Sequence, residues 1–202
     1  MTVKTEHYER TLEMEGWSKG KDQSLFRILA PLKEKGTSTL KSGKNIYTYL
    51  PKTDSTIRLT GGMMQSSWMG SHFTNDDLVR ESRLAEDYTW AISFEGERDG
   101  VKVMEITLTA REDAAVAWDK VVLTINTTDK LPLEQRFYDE EGALIRTMRF
   151  SDVKDLGGRR LPAQLTMIPA DKPTEFTRFV YREAQFNLDL SDATFSKARL
   201  KK

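Results

Sequence analysis

Apolar and polar residues alternate with a period of two along most of this chain, the pattern of strands that bury one face and wet the other. Near the start, Tyr8, Leu12 and Met14 fall on one face, with Glu9, Thr11, Glu13 and Glu15 on the other. "SLFRILAP" predicts the next strand, opened by the turn "SKGKD" and closed by Pro31. "GTSTLKSGKNIYTYLP" reads as two short strands turning at Ser42-Gly43, and "STIRLT" adds another that ends at Gly61-Gly62. In the second half Tyr88, Trp90, Ile92 and Phe94 share one face of a strand that turns back at Asp99-Gly100. Further hairpins turn near Thr128-Asp129 and Glu141-Gly142. "RLPAQLTMIPA" and "TEFTRFVYREAQFN" follow, separated by "DKP", and the tail "LDLSDATFSKARL" is a loop with a helical turn.

Two stretches depart from the alternation. "TNDDLVRESRL" predicts a short helix, with Thr74 or Asn75 as its cap and Asp76 and Asp77 at its positive end. Before it lies "TGGMMQSSWMGSHF", residues 60–73, a greasy loop where a solvated one is expected. Short turns between strands make an antiparallel meander of roughly ten members. A twisted sheet of that size closes, splits or curls around something. The expected fold class is mainly β, one antiparallel sheet in a single domain spanning residues 1–202.

Composition narrows the function classes. Lys plus Arg equal Asp plus Glu at 31 each, so a partner recognised by bulk charge, nucleic acid above all, is not expected. No apolar run approaches the roughly 20 residues of a membrane-spanning helix. Cysteine is absent, which removes disulfides and thiolate metal sites. "MTVKTEHYERTLEMEGW" enters an extended pattern at its second residue, so a preceding segment is expected to be missing. His7 and His72 are the two histidines, and neither sits in a metal-ligand pattern. "STLK", with Ser38 and Lys41, has the Ser-x-x-Lys spacing of penicillin-binding enzymes but lies on a strand without the companion motifs. "KSGKNIYTYLPK" mixes lysines with tyrosines and fits a solvated hairpin edge better than a single-strand nucleic-acid binder. The expectation is a protein that is not an enzyme and uses neither cofactor nor metal.

"LAPLKEKGTSTLKSGKNIYTYLP" followed by "IRLTGGMMQSSWMGSHFTNDDL" resembles the outer-membrane lipoprotein-sorting family of LolA-like carriers, in particular its uncharacterised branch. The resemblance rests on Leu29, Pro31, Lys35, Gly36 and Thr37, on Tyr49 to Pro51, and on Met69, Gly70, Ser71, Phe73, Asp77 and Leu78. Leu161-Pro162 and the closing "FNLDLSDATFS" extend it over most of the chain. His72 stands where family members often carry aspartate, and Asn75 where an aromatic is common. The resemblance implies a LolA/LolB-like half-open barrel, an incomplete antiparallel barrel with helices and loops over its concave face. It also implies that the family's signal peptide and first helix are lacking here.

A periplasmic carrier follows from that resemblance, binding the acyl chains of a lipoprotein or lipid and presenting them toward the outer membrane. Its partners would include an inner-membrane transporter and an outer-membrane acceptor. Met63, Met64, Trp68, Met69 and Phe73 would form a cover, hinged at Gly61, Gly62 and Gly70, and Tyr88, Trp90, Ile92 and Phe94 a wall of the cavity. Methionine suits such a task because it is flexible and polarizable. An aromatic stripe at alternating positions is more often plain core packing than a ligand wall, and the loop reads either as a gate or as a permanent plug. An envelope sensor or interaction module, binding a lipid or protein partner on the same concave sheet, is the other reading.

Overall fold

The computed structural model describes residues 1–80, 84–114 and 116–201. Among them are fourteen strands: β1 Thr2–Lys4, β2 Glu9–Thr11, β3 Glu13–Lys19, β4 Gln23–Ala30, β5 Ser38–Ser42, β6 Asn45–Leu50, β7 Ser55–Arg58, β8 Tyr88–Arg98, β9 Val101–Ala110, β10 Lys120–Asn126, β11 Leu131–Tyr138, β12 Leu144–Leu156, β13 Arg159–Pro169 and β14 Phe176–Val180. They form an antiparallel, mainly β fold that is not closed into a barrel. Hydrogen bonding divides the strands into a nine-stranded sheet, ordered β2-β1-β14-β13-β12-β11-β10-β9-β8, and a five-stranded sheet, ordered β3-β4-β5-β6-β7. The chain also divides into two compact units, which do not follow the sheets strand for strand: the first comprises Met1–Thr2, Glu9–Arg83 and Asn187–Lys202, the second Val3–Tyr8 and Leu84–Phe186.

In the first unit the meander β3 to β7 follows the predicted turns, with Ser42 paired to Asn45 across the Gly43 turn. Its register aligns Trp17, Leu25, Leu40 and Tyr47 in one row across four strands. That row is covered by the carboxy-terminal tail, predicted as little more than a loop. Two short 3-10 turns, Asp192–Phe195 and Lys197–Lys201, deliver Phe195 and Leu200 onto Leu25 and Leu40, and all four are buried. Each such side chain contributes about 1.5–3 kcal/mol by leaving water. Polar ties hold the tail down: Lys19 Nζ lies 2.7 Å from Asp192 Oδ1, and Arg27 Nη2 donates to the Arg199 carbonyl at 2.7 Å. Lys201 Nζ reaches Asp54 Oδ1 at 2.8 Å, and the Tyr49 hydroxyl donates to the same oxygen at 3.0 Å. The Lys201 hydrogen bond, helped by that of Tyr49, lowers the Asp54 pKa from its ordinary value, and Asp54 in turn raises that of Lys201.

The second unit is built from long hairpins. Arg98 pairs with Val101 across Asp99-Gly100, both at positive φ, the backbone that a two-residue turn requires. β12 and β13 are longer than the alternation suggests and meet at Gly157-Gly158, a turn the sequence pattern left unassigned. One face of this sheet is polar. Its register lines up Glu105, Thr124, Glu134 and Arg149 across β9 to β12. Glu105 is buried and accepts from Arg136 Nη2 at 2.5 Å and Arg98 Nη1 at 2.9 Å, so its charge is met by two guanidinium groups.

Candidate functional site

The nine residues predicted to meet an acyl chain divide between the two units. Met63, Met64, Trp68, Met69 and Phe73 belong to the first; Tyr88, Trp90, Ile92 and Phe94 belong to the second.

The loop of residues 60–76 is tightly tied. Thr60 precedes one helical turn, Gly61–Met64, and neither Gly61 nor Gly62 takes a positive φ. Trp68 N donates to the Phe73 carbonyl at 2.7 Å, Ser67 pairs with Thr74 as a β-bridge, and Ser71 Oγ donates to the Trp68 carbonyl at 2.7 Å. Asn75 is buried and its side-chain amide donates to the carbonyls of Met63 and Ser66, each at 3.1 Å. Asn75 is therefore the loop's internal brace, a role the sequence did not announce. Arg10 Nη2 donates to the Met69 carbonyl, where the chain turns through left-handed φ at both Met69 and Gly70. Thr74 and Asp77 exchange hydrogen bonds, Asp77 Oδ2 accepting from Thr74 N at 2.7 Å and Thr74 Oγ1 from Asp77 N at 3.2 Å. This is a capping box for the turn Asp77–Arg80, so the predicted cap is in place. Residues 81–83 of the predicted helix lie outside the described residues, and a further turn follows at Leu84–Asp87.

Trp68 anchors the loop to the five-stranded sheet. It is 3% exposed, its ring centroid stands 5.9 Å from that of Phe26, and its Nε1 donates to Thr39 Oγ1 at 3.1 Å. The Phe26 ring lies over Gly16 on the neighbouring strand, where a Cβ would sit 2.8 Å from the ring. Met63 is exposed, while Met64, Met69 and Phe73 are half-buried. Ser38 and Lys41 stand three apart on β5 and so on opposite faces; Ser38 Oγ donates to the Gly36 carbonyl and Lys41 Nζ to the Lys21 carbonyl.

In the second unit the stripe breaks at a bulge. Ile92 pairs with Ile106, but Phe94 pairs with Glu105, so Ser93 is the extra residue and the phase of the strand changes. Phe94 consequently joins the polar face, where the Arg98 guanidinium lies 4.3 Å above its ring. The expectation that Phe94 shares a face with Tyr88, Trp90 and Ile92 is corrected by this insertion. Tyr88 is buried, its hydroxyl donating to the Trp118 carbonyl at 2.8 Å. Trp90 and Ile92 remain together and in solvent, 67% and 51% exposed. They head two rows that cross the sheet on its apolar face. One is Trp90, Leu108, Val121, Phe137 and Arg146; the other is Ile92, Ile106, Leu123, Gln135, Met148 and Met167. Arg146, buried in the first row, is sandwiched by rings, its guanidinium 4.4 Å from Trp118 and 4.5 Å from Phe137. That arrangement lets a cation sit among apolar neighbours at reduced cost.

No helix among the described residues is long and apolar enough to cross a membrane. No curated protein matches the sequence. Several solved structures share its architecture. A DUF1329 family protein from Desulfovibrio piger has a TM-score of 0.89 at 21% identity, over 98% of this chain and 88% of that one. A LolA superfamily protein from Nitrosomonas europaea has 0.80 at 25%, over 98% and 87%. An outer membrane lipoprotein-sorting protein domain from Vibrio parahaemolyticus has 0.85 at 21%, over 100% and 88%. Residues 20–202 match the model of a family described as "Uncharacterized protein". With that match over nearly its whole length and these neighbours in fold, the chain belongs to this uncharacterised, LolA-like family.

Proposed function

We propose that this protein is a non-enzymatic, periplasmic binder of lipid acyl chains, carried on a lipoprotein or a free lipid and presented toward the outer membrane. The observation that carries the reading is the apolar face of the nine-stranded sheet, which ends in two large side chains left in water, Trp90 and Ile92. Each methylene withdrawn from water contributes about 0.8 kcal/mol, so complete burial of a sixteen-carbon chain is worth on the order of 12 kcal/mol, of which contact with the exposed Trp90 and Ile92 supplies a part, the deeper rows being covered by the protein itself. A bilayer offers nearly the same, and small differences in affinity then set the direction of transfer. The architecture shared with the LolA superfamily and lipoprotein-sorting structures supports the reading. A transporter in the inner membrane and an acceptor in the outer membrane complete the proposed route.

Native mass spectrometry of the purified protein, followed by lipid extraction, tests it. Stoichiometric acyl chains are expected, and Trp90→Asp and Ile92→Asp are expected to lose them while keeping the thermal unfolding profile. A protein that carries no acyl chain and binds no fluorescent fatty-acid analogue refutes the reading. An interaction or sensor module is the second reading, favoured by the exposure of residues 89–93 on both faces of β8.

A further inference from the structure

Among the described residues β8 ends the nine-stranded sheet and pairs on one side, with β9. An edge of this kind is usually blunted by lysine, proline or an inward charge, because its open N–H and C=O groups template another strand. Residues 89–93, Thr-Trp-Ala-Ile-Ser, contain none of these, and all five are exposed. The one such device inside the segment is the bulge at its last residue, Ser93, and charges follow at Glu95, Glu97 and Arg98.

The segment is close to a palindrome of chemistry. Read in either direction from Ala91 it runs small, large apolar, small hydroxyl. We infer that β8 pairs with β8 of a second copy of this chain, antiparallel about a two-fold axis at Ala91. Trp90 then lies opposite Ile92 of the other copy, twice, and Thr89 opposite Ser93, twice. Both large pairs fall on the apolar face, so the apolar rows of the two copies run on into one another across the axis. No charge enters the paired segment, and the uncharged strand has no electrostatic reason to reject its own image. Directly opposed apolar pairs are the units that stabilise such a junction. The bulge bends the strand beyond Ser93 and limits the pairing to these few residues. The contact is well short of the roughly 800 Å² per partner of a standard interface, so association is weak and depends on concentration.

Cysteine substitution provides the sharpest test, because the native chain has none. Across the axis the two Ala91 Cα atoms are about 4.5–5.5 Å apart in either kind of antiparallel pair. That separation lies within disulfide reach. Two copies of Thr89 are separated by about four residues of strand, or ~13 Å, and are out of reach. Under mild oxidation Ala91→Cys is expected to convert to a covalent dimer and Thr89→Cys to remain monomeric. Sedimentation velocity over a concentration series is expected to show a growing dimer for the unmodified chain, lost in Ala91→Pro and in Ala91→Lys, which sets two like charges against one another on the axis, with circular dichroism reporting that both variants fold. A chain that stays monomeric at every concentration overturns the inference. So does cross-linking of Thr89→Cys as fast as Ala91→Cys, which indicates random encounter. Because lipid content is read separately, loss of the dimer leaves the acyl-chain reading untouched, and the reverse holds.

Discussion

Trp68→Ala isolates the claim that Trp68 anchors the methionine loop to the five-stranded sheet. The indole is 3% exposed and stands on Phe26, so its truncation removes a buried aromatic and leaves a cavity. Trp→Ala changes in cores cost about 3–5 kcal/mol. Thr39, itself buried, loses the indole N–H that its hydroxyl accepts, which adds about 1 kcal/mol. The sum is roughly 4–6 kcal/mol. With a urea m-value near 2–3 kcal/mol per molar, the midpoint of the transition falls by about 2 M. Trp68→Phe keeps an aromatic ring beside Phe26 and loses the donor, so it costs about 1–2 kcal/mol. Urea titration followed by far-UV circular dichroism, which is insensitive to the lost indole fluorescence, measures both. A loss below about 1 kcal/mol for Trp68→Ala refutes the anchoring argument, because no well-packed tryptophan is so cheaply removed.

Gly16→Ala places a Cβ 2.8 Å from the Phe26 ring and is expected to cost about 1–3 kcal/mol, a loss that Phe26→Leu in the same chain partly restores in thermal unfolding. Glu105→Gln leaves two arginines facing a neutral amide and is expected to cost about 1–2 kcal/mol; combined with Arg136→Gln the losses add up to less than their sum in chemical denaturation. The Asp54 carboxylate, held below its ordinary value of 3.8, contributes stability above that value and loses it as pH falls through the lowered pKa. Lys201, held above 10.5, contributes below that value and loses it as pH rises through the raised pKa. NMR titration of the Asp54 carboxyl carbon is expected to show a midpoint that returns toward 3.8 in Lys201→Ala.

Alternation and turn chemistry made most of the strands legible. The turns at Ser42-Gly43, Asp99-Gly100, Thr128-Asp129 and Glu141-Gly142 all connect paired strands, because glycine and aspartate mark positions that other residues avoid. The division into two sheets was not legible, since a period of two says which face a residue takes and nothing about which strand lies beside it. The bulge at Ser93 was hidden for a related reason. Counting by twos put Phe94 with Ile92, and one unpaired residue moved it to the polar face beside Arg98. Trp68 looked like part of a mobile cover because its neighbours are glycine, serine and methionine. Its burial comes from Phe26 and Thr39, some thirty to forty positions away in sequence, a contact that no local pattern encodes. Asn75 was visible as a departure from the family pattern, and its hydrogen bonds to Met63 and Ser66 supply the reason.

The first unit draws on both ends of the described chain, while residues 84–186 of the second run without a break. Synthesis therefore delivers the uninterrupted part whole before the interrupted one has all its pieces. Until Phe195 and Leu200 emerge, Leu25 and Leu40 sit on an uncovered β surface, open to any holding chaperone that recognises grease. A released chain truncated after residue 186 holds every segment of the second unit and lacks the tail of the first, and pulse proteolysis of such truncated chains would register which unit folds without the other.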